Sequence, residues 1–381
     1  MIRYLISQQL NILIFFTLIL INSILNLWRI KNLKDIDVIY NSFPLISILI
    51  PARNEEKNIE KCVRSVLSQN YPNFELIVLN DNSFDKTPEI LNKLKESYSN
   101  LKVINNVYLE ENWLGKANAC QKLLEQSNGE IVIFLDADTF HKEDAILKAV
   151  SFLLRSKSDL VTIFPQEVVN SIWEKLIIPF MNFSLMAFYP LIPFANGQFM
   201  VYRKEALKKV GGFEKIKQEV LDDIKMANLF RLNKYKVTVL SGKDISFCKM
   251  YHDKKSLFQG FIKSYFAIFD YHLILSIFLF TYLIFSFFYP YIMVFLKYLN
   301  SINNINLSIN FMILITSYLT FLIAFFKFNY PLPYSFLFQL TILLNSIIGY
   351  ISIFYTITNK RVWKGRVLPK RKVKLLWLKW I

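Results

Sequence analysis

A chain of 381 residues, 54% hydrophobic and 19% charged, has room for one ordinary domain and further elements, and its apolar excess sits at its two ends. The net charge of +16 would suit nucleic acid, but the cations are spread through the middle of the chain and then concentrated in the stretch 360–381, which holds nine Lys/Arg and no acid; beside apolar segments such a tail favours anionic headgroups, and nucleic acid is set aside. Cys62, Cys120 and Cys248 are odd in number and lack metal or disulfide spacing, which excludes a disulfide scaffold and points to a reducing compartment.

Residues 10–28 run 19 positions without a charge and are followed by Arg29, Lys31 and Lys34. No small-residue cleavage pattern follows, so 1–29 reads as a retained transmembrane anchor rather than a signal peptide, with its C-terminal flank in the cytoplasm. From Pro44 to about Phe164 strands and helices alternate. The run 45–50 is stopped by Pro51, and Ile59, Cys62, Val63, Val66 and Leu67 fall at helical spacing before Asn70-Tyr71-Pro72. A strand over 74–79 closes on Asn80-Asp81-Asn82-Ser83. A helix over 87–97, a strand over 101–104, a helix from about Lys116 and the apolar strand 131–135 follow. The alternation predicts an α/β domain over 40–250, built on a mostly parallel, Rossmann-like sheet covered on both faces.

Strand 131–135 delivers Asp136 and Asp138 to its rim, where the turning backbone lets both carboxylates converge. Hard cations such as Mg²⁺ or Mn²⁺ are held by one or two carboxylates plus phosphate oxygens. Open α/β sheets keep ligands at that rim. The pair therefore reads as a metal–diphosphate site, against the plain alternative of a polar strand end before a turn. No GxGxxG or GxxxxGK[ST] loop exists, so phosphates must be met by a metal and by basic side chains.

Beyond Pro165 the pattern changes. Residues 172–189 are aromatic and apolar, broken by Pro179 and Pro190, as in a segment pressed on a membrane or a lipid-lined groove. A strand over 198–202, a short helix over 205–210 stopped by Gly211-Gly212-Phe213, and a helix opened by Leu221-Asp222-Asp223-Ile224 follow. Residues 251–271 hold an amphipathic interface helix. The uncharged runs 273–296, 305–326 and 332–358 make 272–358 a transmembrane region, and 359–381 is the basic membrane-proximal tail.

Five stretches carry a resemblance. ISILIPARNEEKNIEKCVRSVLSQNYPNFELIVLNDNSFDKT (46–87), WLGK (113–116), DAD (136–138), GQFMVYRKEALKKVGGFE (197–214) and LDD (221–223) resemble, in this order, a family-2 glycosyltransferase of GT-A fold over about 40–260. The chain looks most like membrane-embedded members acting on lipids: carotenoid-acid, hopanoid-associated and ceramide glycosyltransferases, with which it shares one N-terminal span, a C-terminal group of spans and Trp363-Lys364-Gly365-Arg366. The resemblance implies a UDP-sugar bound by Pro51, Ala52, Arg53, Glu55, Asp81 (at the uracil N–H), Lys116 and Asp136. It implies Mg²⁺ or Mn²⁺ on Asp138 and Asp136. His252 is either a further metal ligand or an interface histidine, while His141 and His272 read as structural. Asp223, with Asp222 beside it, would take the proton from the acceptor hydroxyl, and in-line attack would invert the anomeric centre. The same residues would also suit turn and helix-cap chemistry.

Two departures shape the expected activity. Asn80 stands where many relatives carry an acid and is expected to support a loop. The Gln-x-x-Arg-Trp motif of processive synthases is missing, with only Gln259-Gly260-Phe261-Ile262-Lys263 near its place, which implies transfer of one sugar to a lipid or isoprenoid/carotenoid-type acceptor. A polyprenyl-phosphate acceptor, needing no base, is the alternative within the class; a non-catalytic membrane scaffold is the alternative outside it. A transporter is disfavoured, because the spans hold almost no ionisable groups. Nothing in the sequence fixes an oligomeric state. Localisation is expected to be multi-pass in the cell (inner/plasma) membrane with the catalytic domain cytoplasmic. One conflict follows: three full C-terminal crossings would put the tail outside, against the positive-inside rule. Either the rule fails or one segment, 332–358 or the Pro290-containing 273–296, is re-entrant or interfacial.

Overall fold

The computed structural model describes residues 2–38, 43–106, 108–192, 194–299 and 305–375; the expectations touching Met1, residues 40–42 and the end of the tail at 376–381 lie outside these. In chain order the elements are α1 (Ile2–Arg29), β1 (Ile46–Ala52), α2 (Ile59–Leu67), β2 (Phe74–Asn80), α3 (Thr87–Ser97), β3 (Leu101–Asn105), α4 (Gly115–Gln126) and β4 (Ile131–Leu135). Then come β5 (Thr139–His141), α5 (Ala145–Arg155), β6 (Leu160–Glu167), α6 (Ile172–Ile177), α7 (Pro179–Phe188), β7 (Phe199–Arg203), α8 (Lys204–Lys209), α9 (Asp222–Leu232) and β8 (Val237–Cys248). The rest is α10 (Lys254–Ile268), α11 (Leu273–Tyr298), α12 (Leu307–Phe328), α13 (Phe338–Ile357) and the two-residue strands β9 (Val362–Trp363) and β10 (Arg366–Val367). They form two units: Ile30–Val168 with Pro193–Met250, and Met1–Arg29 with Val169–Ile192 and Tyr251–Ile381.

The first unit is α/β, its sheet ordered β3-β2-β1-β4-β7-β6-β8-β5. Strands β3, β2, β1 and β4 are parallel neighbours, as the alternation predicts. Their side chains divide between two cores at period two. Ile46, Ile48 and Ile50 of β1 join one cluster with residues of α2, α3 and α5, while Leu49 joins the other with residues of α4 and α9. That is why β4 and the middles of β1 and β2 read as apolar runs, while the edge strand β3 carries the exposed Lys102.

The other half departs from the parallel expectation. Strand β7 runs antiparallel to both β4 and β6, and β5 antiparallel to β8. The cause is connectivity: after β6 the chain leaves this unit for 169–192, so on returning it must run back down from the rim where β6 ended. The ladder between β6 and β8 slips between Pro165 and Gln166, where proline has no N–H to give.

In the second unit, segments Gln8–Arg29, Leu273–Tyr298, Leu307–Phe328 and Leu332–Ile357 are long and apolar enough to cross a membrane. Helix α11 continues through Pro290, but 332–358 is not one helix. Asn329 (φ +60°) ends α12 in the left-handed region, a short 3₁₀ turn covers Leu332–Leu337, and only then does α13 begin. Residues 172–189 likewise make two helices, with Pro179 at the first turn of α7. Phe15 packs on Tyr282 (5.3 Å between ring centroids), and Gln9 Nε2 donates at 2.8 Å to Asn310 Oδ1, whose Nδ2 reaches Pro290 O at 3.4 Å; residue 9 thus lies level with 290 and residue 15 with 282, so α1 runs antiparallel to α11. In the tail, Lys364 (φ +44°) and Gly365 (φ +75°) make the turn between β9 and β10, a left-handed pair that Gly makes affordable.

Candidate active site

Lys116 emerges from the first turn of α4, just after Gly115, and meets Asp136 Oδ1 at 2.8 Å and Oδ2 at 3.1 Å. It also lies 3.7 Å from Asp222 Oδ2. Asp222 and Asp223 form the first turn of α9, where backbone N–H groups have no intrahelical partner. One of those donors is used locally, Ile224 N–H donating to Asp223 Oδ1 at 2.8 Å, and Gly197 N–H, from the turn before β7, donates to Oδ2 at 3.0 Å. A β-carbon at 197 would stand 3.1 Å from Lys116 Nζ and 3.3 Å from Asp223 Cβ, so only glycine leaves both in place. Lys116, Asp136, Asp222, Asp223 and Gly197 line one cleft with Pro51.

Burial, then the neighbouring Asp222 charge, push the Asp223 carboxyl up to about 6, against the pull of Lys116 and the two backbone N–H groups. For Lys116, crowding works against the charge, but Asp136 and Asp222 outweigh it and hold the ammonium well above its ordinary value.

Asp138 is not among the residues lining that cleft. Residues 136–138 turn between β4 and β5, with Asp136 O accepting from Thr139 N at 3.1 Å and Ala137 buried, so Asp136 lines the cleft while Asp138, whose O accepts from Lys249 N at 2.9 Å, lies toward the end of β8. Asp138 faces a second cluster at the ends of β6 and β8, where Glu167 and Cys248 are register partners. Gln198 Nε2 donates to Cys248 Sγ at 3.1 Å. Burial lifts the Cys248 thiol well above the usual range, and Asp138 adds to the rise. No hydrogen bond of normal geometry reaches either carboxyl oxygen of Glu167, which is 4% exposed. Burial pushes that carboxyl up to about 8, with nearby Gln198 pulling down and the Asp138 charge pushing further up.

Both clusters meet the turn Asn196-Gly197-Gln198. Gln198 O accepts the Asp136 N–H at 3.1 Å, Gly197 holds Asp223, and the Gln198 side chain holds Cys248. The turn is locked from β6: Thr162 Oγ1 donates to Asn196 O at 3.1 Å and accepts from Asn196 N at 2.8 Å.

The remaining expected nucleotide residues form a bonded loop group. Asp81 N–H donates to Ala52 O at 2.8 Å, and Asn106 Nδ2 donates to Asp81 Oδ1 at 3.2 Å. The Arg53 guanidinium spans the loop, donating to Asp81 O at 2.7 Å and Asn82 O at 2.8 Å. Glu55 donates its N–H to Thr87 Oγ1 (2.8 Å) and accepts from Asn58 Nδ2 (2.9 Å). Asn80 does support a loop: its Oδ1 accepts from Ser83 N at 3.2 Å and its Nδ2 donates to Asn105 Oδ1 at 3.0 Å. His141 is structural, buried between Thr139 and Ser246 hydroxyls at 3.1 and 3.0 Å, with burial pushing its ring down to about 3. His252 is exposed and belongs to the second unit.

Among the described residues no three His, Cys, Asp or Glu side chains form a metal cage. One lysine facing three carboxylates leaves the cleft with excess negative charge, which a diphosphate would enter only with a cation. Asp136 and Asp138 offer hard oxygens and fit Mg²⁺ or Mn²⁺ on condition that diphosphate and water complete the shell. Sequence reasoning assigned no role to Gly197, Gln198, Thr162, Glu167 or Cys248. For Glu167 the signal was present: a lone acid closing an apolar strand, as at Asp136.

The fold and the acid-lined cleft define a GT-A-like glycosyltransferase scaffold. Residues 131–357 match the family model "Glycosyl transferase family group 2" and residues 47–211 match "Glycosyl transferase family 2", and the chain belongs to that family. It is 30% identical over 211 residues to the beta-monoglucosyldiacylglycerol synthase of Trichormus variabilis, covering 52% of this chain and 44% of that protein. It is 28% identical over 229 residues to the 4,4'-diaponeurosporenoate glycosyltransferase of Staphylococcus haemolyticus, covering 57% and 60%. The chain thus spans about half the length of the curated relatives it matches. Among solved structures, the mannosyltransferase PcManGT from Pyrobaculum calidifontis, in complex with GDP-Man and Mn²⁺, shares the fold with a TM-score of 0.52 at 18% identity, over 92% of this chain and 99% of that one.

Proposed function

We propose that this chain transfers a single sugar from a UDP-sugar to the hydroxyl of a membrane lipid or isoprenoid/carotenoid-type acceptor, inverting the anomeric centre, at the cytoplasmic face of the cell membrane. The observation that carries this reading is the convergence of Lys116, Asp136, Asp222 and Asp223 on one cleft. Asp223 is the base. A carboxyl raised to about 6 is still ionised at neutral pH and is a better proton acceptor than an ordinary carboxylate. Its two anchored oxygens keep lone pairs to spare for the acceptor's proton. Lys116 meets the diphosphate, and Asp81, with one oxygen fixed by Asn106, accepts from the uracil N–H. Asp138, with Asp136, would hold Mg²⁺ or Mn²⁺, which when bound supplies Lewis-acid neutralisation of the departing UDP. The four apolar helices and the lipid-related names of two relatives support a membrane-borne acceptor.

The test is incorporation of label. Isolated membranes given labelled UDP-sugars, lipid extract and Mn²⁺ or Mg²⁺ should yield labelled glycolipid, and Asp138→Ala should abolish it. Absence of metal-dependent incorporation from every nucleotide sugar tried would sink the reading.

A further inference from the structure

Three crossings by α11, α12 and α13 would carry the basic tail to the face opposite Arg29, but the helix directions do not allow it. Helix α12 runs antiparallel to α11, as consecutive spans do: Asn310 reaches Pro290 O (3.4 Å), and Phe321 packs on Phe287 (6.1 Å between ring centroids). Helix α13 also runs antiparallel to α11. The Thr281 and Tyr350 hydroxyls bond at 2.7 Å near one end, and Gln339 bonds Tyr291 near the other. So α12 and α13, consecutive in the chain, point the same way. Phe338 opens α13 against the rings of Tyr318 and Phe321 (5.9 and 5.7 Å), well before α12 ends at Phe328.

The link between them has the chemistry for lying at depth, where lipid leaves no water to satisfy the backbone. Pro331 and Pro333 bring no N–H. Tyr330 N donates to Phe325 O (2.9 Å), Tyr334 N to Pro331 O (3.1 Å), and the Ser335 hydroxyl to Leu332 O (2.7 Å). After α13 the chain comes back to where α11 began: Lys374 N donates to Tyr271 O at 3.0 Å and Leu273 N to Lys374 O at 2.8 Å. The Lys374 ammonium is taken by Asp270, while Lys360, Lys370 and Lys372 are exposed.

We propose that Leu332–Ile357 is a re-entrant hairpin that returns the tail to the membrane face on which α1 ends, where Lys360, Lys370 and Lys372 bind anionic phospholipid headgroups. The inference rests on the reading that the apolar helices span a membrane. It leaves three crossings, and it removes the conflict with the positive-inside rule.

Cysteine labelling of the full chain in native vesicles of known orientation tests it. Cys62, Cys120 and Cys248 are all buried, so an introduced thiol carries the signal. With a membrane-impermeant maleimide, Lys372→Cys should label from the same face as Lys31→Cys, and Leu299→Cys, in the α11–α12 link, from the opposite face. Labelling of Lys372→Cys together with Leu299→Cys would overturn the hairpin. Carbonate extraction of the unsubstituted protein separates the two readings: release from the membrane would end the spanning reading and this inference with it. For the headgroups, hydrogen exchange over 359–375 should slow in nanodiscs containing phosphatidylglycerol relative to phosphatidylcholine, and Lys360→Gln/Lys370→Gln/Lys372→Gln should cancel the difference. Equal exchange in both discs, or the same slowing from inorganic phosphate added to phosphatidylcholine discs, would overturn the bilayer as partner.

Discussion

Asp136 and Asp138 stand one residue apart, yet they belong to electrostatically opposite places. Around Asp136 a single lysine faces three carboxylates in a cleft, pairing with Asp136 at 2.8 Å and lying 3.7 Å from Asp222. Around Asp138 lie the Cys248 thiol and the Glu167 carboxyl, which burial keeps protonated while the Lys249 charge pulls Glu167 back. The difference teaches that two acids at one strand end can sit in different electrostatic settings, one paired with a lysine in a cleft and the other beside groups that burial keeps protonated. The turn Asn196-Gly197-Gln198 keeps the two places in register, since it touches Asp136, Asp223 and Cys248 at once.

Removing the lysine should break the comparison hardest. Lys116→Met leaves three acids facing one another, so kcat/KM for the donor should fall by about 10²–10³, the scale on which single charged contacts to a reacting phosphate act. The acid limb of kcat/KM, set in the wild type near 6 by Asp223, should move upward, because Lys116 is what holds that carboxyl down. A limb that stays put would detach Asp223 from the cleft's charge balance. Loosening the shared turn should cost less. Thr162→Val deletes both hydrogen bonds to Asn196 at nearly constant volume; kcat should drop roughly tenfold with donor KM little changed, and Thr162→Ser should restore it. Equal loss in both variants would make the effect one of packing.

The smallest effect belongs to the second cluster and concerns stability. The Glu167 carboxyl is raised from an ordinary value to about 8 in the fold, so the folded state favours its proton and pays increasingly as pH rises between those values. Glu167→Gln should therefore melt a few degrees above the wild type near pH 8 in the absence of metal, with the gap closing toward pH 4.5. A gap independent of pH would mean that the carboxyl ionises freely where it sits.

Much of this was legible in the residues. The strands β1, β2 and β4 announced themselves because most of their residues are buried on both faces, and the start of α9 because paired acids favour a first turn. The antiparallel β7 was not legible, since its direction follows from where the chain returns after 169–192 and from nothing local. The direction of α13 was hidden for a similar reason: Asn329, Pro331 and Pro333 signal a break, but whether the chain then crosses or doubles back depends on which rings it packs against. Asp223 was singled out through its motif, whereas Gly197 stood in a quoted stretch without a role of its own and Thr162 carries no charge or pattern; their part in holding Asp223 emerges only from distances.

The most direct test of the central claim is Asp223→Asn, measured for UDP affinity by calorimetry and for sugar transfer in the same preparation. If Asp223 is the base for a hydroxyl acceptor, UDP should bind as it does to the wild type while transfer falls by about 10³ or more. Near-normal transfer with intact binding would contradict the account and point to an acceptor, such as a phosphate, that arrives without a proton to give up.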